Sequence, residues 1–383
     1  MTIEELRRKS SLAEADLLDC ARSSLLPGSL LFPFQAIRHI SWDDASKTGR
    51  IEAVRFNHVD DWFYSCHFIG DPVMPGCWGI DAVWQALKLF AAWRGIAGCD
   101  KILGMENVSF FGQIRPHDRE IVYTVDVVSI EEDGGEHLLT GKASVSVDGI
   151  QVYSIGAAQV GTVFWEADSS AKPPEARPAP DEPMRRKLDS AEFAAKSSLS
   201  HAEVLALAQG TLLESFPGEV GLLPNSLMLE IGRIPELSFD PATGEGRIVS
   251  TKANGPLDWY YPMNRGAKPT ALTVDAVWQQ LGLFQFWRQN PGTGRALGFE
   301  RVEVFDEITP KDREILYEIQ ILRMTKAEAS GDAFVRADAK VFADGRLVLT
   351  CANANVGCHK NIRYSDFPQL TEMGLGGKLK TRA

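Results

Sequence analysis

The sequence predicts an α+β protein built twice over, each half an antiparallel sheet wrapped around one central helix. The two halves are expected to pack on each other as an internal pseudo-dimer. Three observations carry this reading. The first is a repeat: "DAVWQALKLFAAWR" from Asp81 is answered by "DAVWQQLGLFQFWR" from Asp275, and "FGQIRPHDREIVYTV" from Phe111 by "FDEITPKDREILYEI" from Phe305. From Asp81 to Tyr123 the offset stays at 194, so the block matches without a gap, and self-similarity on this scale marks a duplicated architecture. The second is a helical stretch that is apolar almost all round, with Ile80, Val83, Trp84, Leu87, Phe90 and Ala91 at helical spacing. Such a helix is buried rather than laid on a surface. The third is the run of β-branched segments that follows it, "REIVYTVDVVSI", "LLTGKASVSV" and "IQVYSIGAAQV", with no βαβ alternation.

Taken in order, each half opens on an N-terminal helix and a strand or two, continues into the buried helix, and closes with at least three strands. "SSLAEADLL" from Ser10 and "SSLSHAEVL" from Ser197 mark the two openings. Asp148-Gly149 is a hairpin signal between two of the strands. A lone sheet of this kind leaves an edge and a face uncovered, which a second copy in the same chain covers. The expected boundaries are residues 1–165 for the first half, a proline-rich linker over 166–187, residues 188–362 for the second half, and a tail over 363–383. The linker contains Pro173, Pro174, Pro178, Pro180 and Pro183 and is poor in apolar residues.

Bulk properties exclude several classes. At 383 residues the chain is comfortable for two domains. Its most apolar stretch, Ile80 to Gly98, still carries Asp81, Lys88 and Arg94, so no membrane span is expected. The N-terminal residues are charged and lack a signal-peptide core. Six cysteines without a CxxC pair predict free thiols and a cytoplasmic location. A net charge of −11 argues against nucleic acid and gives no global attraction to an acidic partner. Cys351, Cys358 and His359 have the wrong spacing for a common zinc site and read as strand-end residues, so no metal or bound cofactor is expected. Lys101, Arg115, Arg119, Arg295, Arg301, Lys311 and Arg313 read as solvated loop charges or as contacts for a phosphate-bearing substrate arm.

Three residue types suggest chemistry. His67 lies just before the turn at Pro75-Gly76, where the buried helix begins. Helix starts carry unpaired N–H groups and a positive dipole end, able to stabilise an enolate oxygen beside a histidine base. The alternative is a satisfied, partly buried histidine. Asp81 and Asp275 each sit in an apolar helix, where desolvation would raise the pKa and make a proton donor. The alternative there is an aspartate that merely complements the helix dipole.

"HFIGDPVMPGCWGIDAVWQ" and the following "LGMENVSFFGQIRP" resemble the FabA-type 3-hydroxyacyl-[acyl carrier protein] dehydratases, the β-hydroxydecanoyl class. The second half resembles them less closely, from "LDWYY" to "DGRLVLTCANANVG". Tandem copies of this kind are also found in polyunsaturated fatty acid and polyketide synthases. The resemblance implies a double hot-dog fold and a lyase reaction: loss of water from a 3-hydroxyacyl thioester to give a trans-2-enoyl thioester. The substrate would arrive on the phosphopantetheine of an acyl carrier protein or as a CoA thioester. Synthase partners and a higher oligomer fit the same picture.

By the same resemblance, His67 is the base, Val73 supplies the carbonyl that orients it, and Gly76 with Cys77 polarises the thioester. Between Asp258 and Asp275 the second half has neither a histidine nor "PGC", so Asp275 is expected to supply the acid to a single site shared between the halves. Asp81 and the Asn264 region would form a vestigial site. A hot-dog thioesterase, a dehydratase that also isomerises trans-2 to cis-3, and a non-catalytic acyl-binding protein are the alternatives.

Overall fold

A computed structural model describes residues 2–68, 71–174, 184, 186–214, 223–224, 226–290 and 292–360. The first half opens with two short helices, α1 (Ile3–Arg7) and α2 (Glu14–Arg22). Strands β1 (Ala36–Asp43) and β2 (Thr48–Phe56) lead to the long helix α3 (Gly76–Arg94). Strands β3 (Lys101–Phe110), β4 (Glu120–Asp133), β5 (Glu136–Val147) and β6 (Ile150–Gly161) complete it. The second half repeats this order: α4 (Ser190–Ala194), α5 (His201–Ala208), β7 (Arg233–Asp240), β8 (Glu245–Ala253) and α6 (Thr270–Trp287). It ends with β9 (Thr293–Val304), β10 (Glu314–Lys326), β11 (Ala333–Ala343) and β12 (Arg346–His359).

The twelve described strands form one antiparallel sheet in the order β1-β2-β4-β5-β6-β3-β9-β12-β11-β10-β8-β7. That order is a palindrome under exchange of the halves, and its centre is the β3–β9 seam. The register there obeys the same exchange: Gly104 pairs with Glu303, and Ser109 with Gly298. β3 and β9 are repeat partners of each other, so the seam is a two-fold interface made within one chain. The same approximate axis brings Trp62 and its repeat partner Trp259 edge to face, ring centroids 5.3 Å apart. The double hot-dog architecture is thus the observed one.

Each half wraps its sheet around its helix. From Cys77 to Ala92 every residue of α3 is buried, and nearly all of α6 is. This is the physical outcome of helices with no polar face: they are stable only inside a sheet that covers them. Trp84 Nε1 donates to the Gly104 carbonyl at 2.9 Å, and its counterpart Trp278 to Gly298 at 3.3 Å, pinning each helix to its strand. α3 is ended by Gly95 in the left-handed region (φ 82°). The hairpin signal at Asp148-Gly149 is a turn with both residues at positive φ, and Asp344-Gly345 repeats it. In each turn the aspartate accepts from two backbone N–H groups across the loop, Arg119 and Glu120 for Asp148, Arg313 and Glu314 for Asp344.

All six cysteines are free and buried. Cys358 and His359 do end β12, but Cys351 lies well inside that strand. No described helix is long and apolar enough to cross a membrane. Residues 175–183 and 185 of the proline-rich linker, and the expected tail over 363–383, lie outside the described residues.

Candidate active site

His67 follows a short 3₁₀ turn, Trp62–Ser65, and its own N–H donates to the Phe63 carbonyl at 2.8 Å. The chain then loops to Val73, whose N–H donates back to the His67 carbonyl at 2.9 Å. The imidazole closes the loop a second time, Nδ1 to the Val73 carbonyl at 2.9 Å. A carbonyl can only accept, so Nδ1 carries the proton and Nε2 is left as the basic nitrogen. Burial pushes the His67 pKa down to about 4, against the Val73 hydrogen bond, and the charge of Arg295 adds to the lowering. His67 is therefore neutral at pH 7, as a base must be.

Gly76 opens α3 without a side-chain cap, after Pro75. The first N–H groups of a helix have no intrahelical acceptor, so this end presents donors and a positive dipole. The residue is glycine because the Phe110 ring lies over it: a Cβ there would come within 2.9 Å of that ring. Phe110 in turn packs on Tyr153 (4.4 Å) and on Trp278 of the other half (5.3 Å), giving an aromatic wall built from both halves.

Asp275 comes from α6. It is buried, and desolvation raises its pKa to about 6 in spite of two hydrogen bonds that favour the charged form. One is from Gln279 Nε2 at 2.7 Å, and the other from the Cys77 thiol. Cys77 is itself pushed well up by burial and by Asp275, so it remains a thiol and donates. The Cys77 side chain thus reaches Asp275 from across the interface and is not among the residues lining the cavity, while its backbone N–H stays in the first turn of α3. Gln279 is a functional residue that sequence reasoning missed. It is clamped on both sides, accepting from the Glu230 N–H at 2.9 Å and donating to the Met228 carbonyl at 2.7 Å. The signal was present in the repeated "DAVWQ", where the glutamine stands one helical turn after the aspartate.

His67, Gly76 and Asp275 line one cavity, with about 1060 Å³ of empty space including its open mouth. Phe68, Val73, Met74, Tyr153, Trp278 and Gln279 are among its other walls. Beside it lies a buried cross-half ion pair. Asp71 accepts from Arg295 Nη2 at 2.8 Å and from Arg115 Nη1 at 3.2 Å. Burial works to raise the Asp71 pKa, but the two guanidinium charges outweigh it and hold the group at about 2. Arg115 and Arg295 are thus not solvated loop charges. Arg115 is fully buried, and Arg295 ties the second half to the loop that carries His67.

Asp81 and Asn264 do come together, in a second cavity related to the first by the internal repeat. Asn264 occupies the place of His67, its Nδ2 donating to the Ala267 carbonyl at 3.1 Å as His67 does to Val73. The connecting loop is three positions shorter. Burial raises the Asp81 pKa, and burial lowers that of Lys88 on the same helix face.

The FabA-like domain family matches residues 26–156 and again 223–352. Similar solved structures include the dehydratase domain from the CurJ module of curacin polyketide synthase, at 14% identity and TM-score 0.49, over 86% of this chain and 98% of that one. The dehydratase domain of a mycocerosic acid synthase-like polyketide synthase is similar at 16% identity and TM-score 0.48, over 88% and 96%. A trans-AT polyketide synthase dehydratase domain from Brevibacillus brevis is similar at 13% identity and TM-score 0.47, over 84% and 97%. With its sequence matched once in each half, the chain belongs to the FabA-like domain family.

Proposed function

We propose that this protein is a dehydratase of 3-hydroxyacyl thioesters carried on a phosphopantetheine arm, acting in the assembly of a fatty acid or polyketide chain. The observation that carries the reading is the pairing, in one cavity, of a neutral His67 whose Nε2 is the basic nitrogen and a desolvated Asp275 from the opposite half. The thioester carbonyl sits against the N-terminal N–H groups of α3 at Gly76 and Cys77, which stabilise the oxygen as charge develops on it. His67 Nε2 removes a C2 proton, and protonated Asp275 donates its proton to the C3 hydroxyl, which leaves as water. The C2–H and C3–O bonds break, a C2=C3 double bond forms, and no electrons are exchanged with a cofactor.

The test is to incubate the purified protein with a 3-hydroxyacyl-pantetheine thioester and follow enoyl absorbance together with free thiol. Enoyl formation without thiol supports the dehydratase. Thiol release without enoyl product would make the protein a thioesterase instead.

A further inference from the structure

α6 presents Asp275, Gln279 and Gly282 on one face, at helical spacings of four and three, and all three line the His67 cavity. Asp275 and Gln279 are buried, but Gly282 is partly exposed, as are Gly294 of β9 and the neighbouring Arg295 and Gln113. The cavity therefore opens to solvent along this side. A glycine inside a helix costs about 1 kcal/mol relative to alanine, so Gly282 calls for a reason. Neither Gly282 nor Gly294 has the positive φ that only glycine adopts easily. Nor does packing demand them: a Cβ built on either would meet no atom within 4 Å. What a side chain would occupy at both positions is the opening itself.

The second cavity supplies the comparison. Its equivalent of Gly282 is Lys88, and its equivalent of Gly294 is Asp100. Both line it. Asp100 accepts there from Arg265 of the other half at 3.2 Å. Lys101 to Glu307 at 3.2 Å is matched beside the first cavity by Arg295 to Gln113 at 2.8 Å, so the difference lies at the two glycine positions. The space left free by two glycines in one cavity is taken by the Lys88 and Asp100 side chains in the other.

We infer that Gly282 and Gly294 form the throat through which the substrate's thioester arm reaches His67 and Asp275. This rests on the thioester reading above. A carrier too large to enter stays outside, so the part of the substrate held in the partly exposed throat is the slender pantetheine segment. The reacting carbons lie deeper, between His67 and Asp275. The twin cavity has Lys88 and Asp100 in place of the two glycines, and Asn264 in place of the histidine.

Binding tests this without turnover, by titration calorimetry with butanoyl-pantetheine, which has no 3-hydroxyl to lose. Gly282→Leu and Gly294→Leu should each weaken binding at least tenfold, and Gly282→Ala only a few-fold. The melting temperature should be unchanged or raised by Gly282→Ala, since alanine is the better helix former. Lys88→Gly, in the twin, should leave binding at the wild-type level. Wild-type affinity in both leucine variants would overturn the throat, as would failure of the wild-type protein to bind the thioester at all. A wild-type protein that binds butanoyl-pantetheine but forms no enoyl product from the 3-hydroxy analogue would overturn the dehydratase reading and leave the throat standing.

Discussion

Asn264 stands where His67 stands in the other half, and its side-chain amide makes the same bond, to the Ala267 carbonyl at 3.1 Å against 2.9 Å from His67 Nδ1 to Val73. An amide reproduces the donor of an imidazole but not its second, basic nitrogen. The loop geometry has outlived the chemistry. His67→Ala should lower kcat/KM for dehydration by about 10²–10⁴-fold, the range for a lost general base. Adding Asn264→His to that variant should restore nothing, because Lys88 and Asp100 still occupy the twin cavity. Recovery of activity in the double variant would show that the second cavity admits substrate after all.

The two repeated aspartates should part company. Asp275→Asn removes the proton donor from the cavity that holds His67 and should cost about 10²–10⁴-fold in kcat/KM. Asp81→Asn, on the other cavity, should stay within a few-fold of wild type. Both changes keep the side chain's size, and steady-state kinetics on one substrate compares them directly. The reverse ranking would overturn the cross-half pairing.

The pH profile follows from the two shifts. His67 is lowered to about 4 and must be unprotonated to act, so activity is lost as pH falls through about 4. Asp275 is raised to about 6 and must be protonated to act, so activity is lost as pH rises through about 6. The expected kcat/KM profile is a bell with these limbs. Gln279→Met removes the 2.7 Å bond that favours the Asp275 carboxylate, so the alkaline limb should move to higher pH while the acid limb stays. An alkaline limb that does not move would take Asp275 out of the donor role.

Asp71 offers a prediction about stability. Asp71→Ala leaves Arg115 and Arg295 without their buried carboxylate and should cost about 3–5 kcal/mol, read by chemical denaturation. Its pKa in the folded protein is depressed to about 2, against roughly 3.9 in an unfolded chain. Its contribution is therefore complete above about pH 4 and lost as pH falls toward about 2. Wild type should lose that increment over this range, and the variant should have none to lose.

Much of this was legible in the residues. The duplicated blocks announced two like halves, and the all-round apolar character of residues 80–91 required a sheet to enclose them. The Asp148-Gly149 pair specified a hairpin whose turn needs two positive φ values. His67, Val73, Gly76 and Asp275 lie in or beside blocks that the repeat and the family resemblance single out. Other features were hidden because they depend on partners far apart in sequence. Arg115 and Arg295 look like surface charges until the fold brings Asp71 between them. The reach of the Cys77 thiol to Asp275 shows only once the halves are packed. Gln279 gains its meaning only from the Glu230 N–H and the Met228 carbonyl that fix it.

Local pattern by itself determined the repeat, the buried helices, the strands and the loss of the histidine from the second half. These are consequences of periodicity and turn chemistry, which act over a few residues. Only the tertiary structure decided which aspartate shares a cavity with His67 and which cavity has Lys88 in its wall. Those outcomes depend on the β3–β9 seam, where antiparallel pairing turns one half about the other. That rotation sets the acid of α6 against the base of the first half, and it places Lys88 where the twin would have needed space.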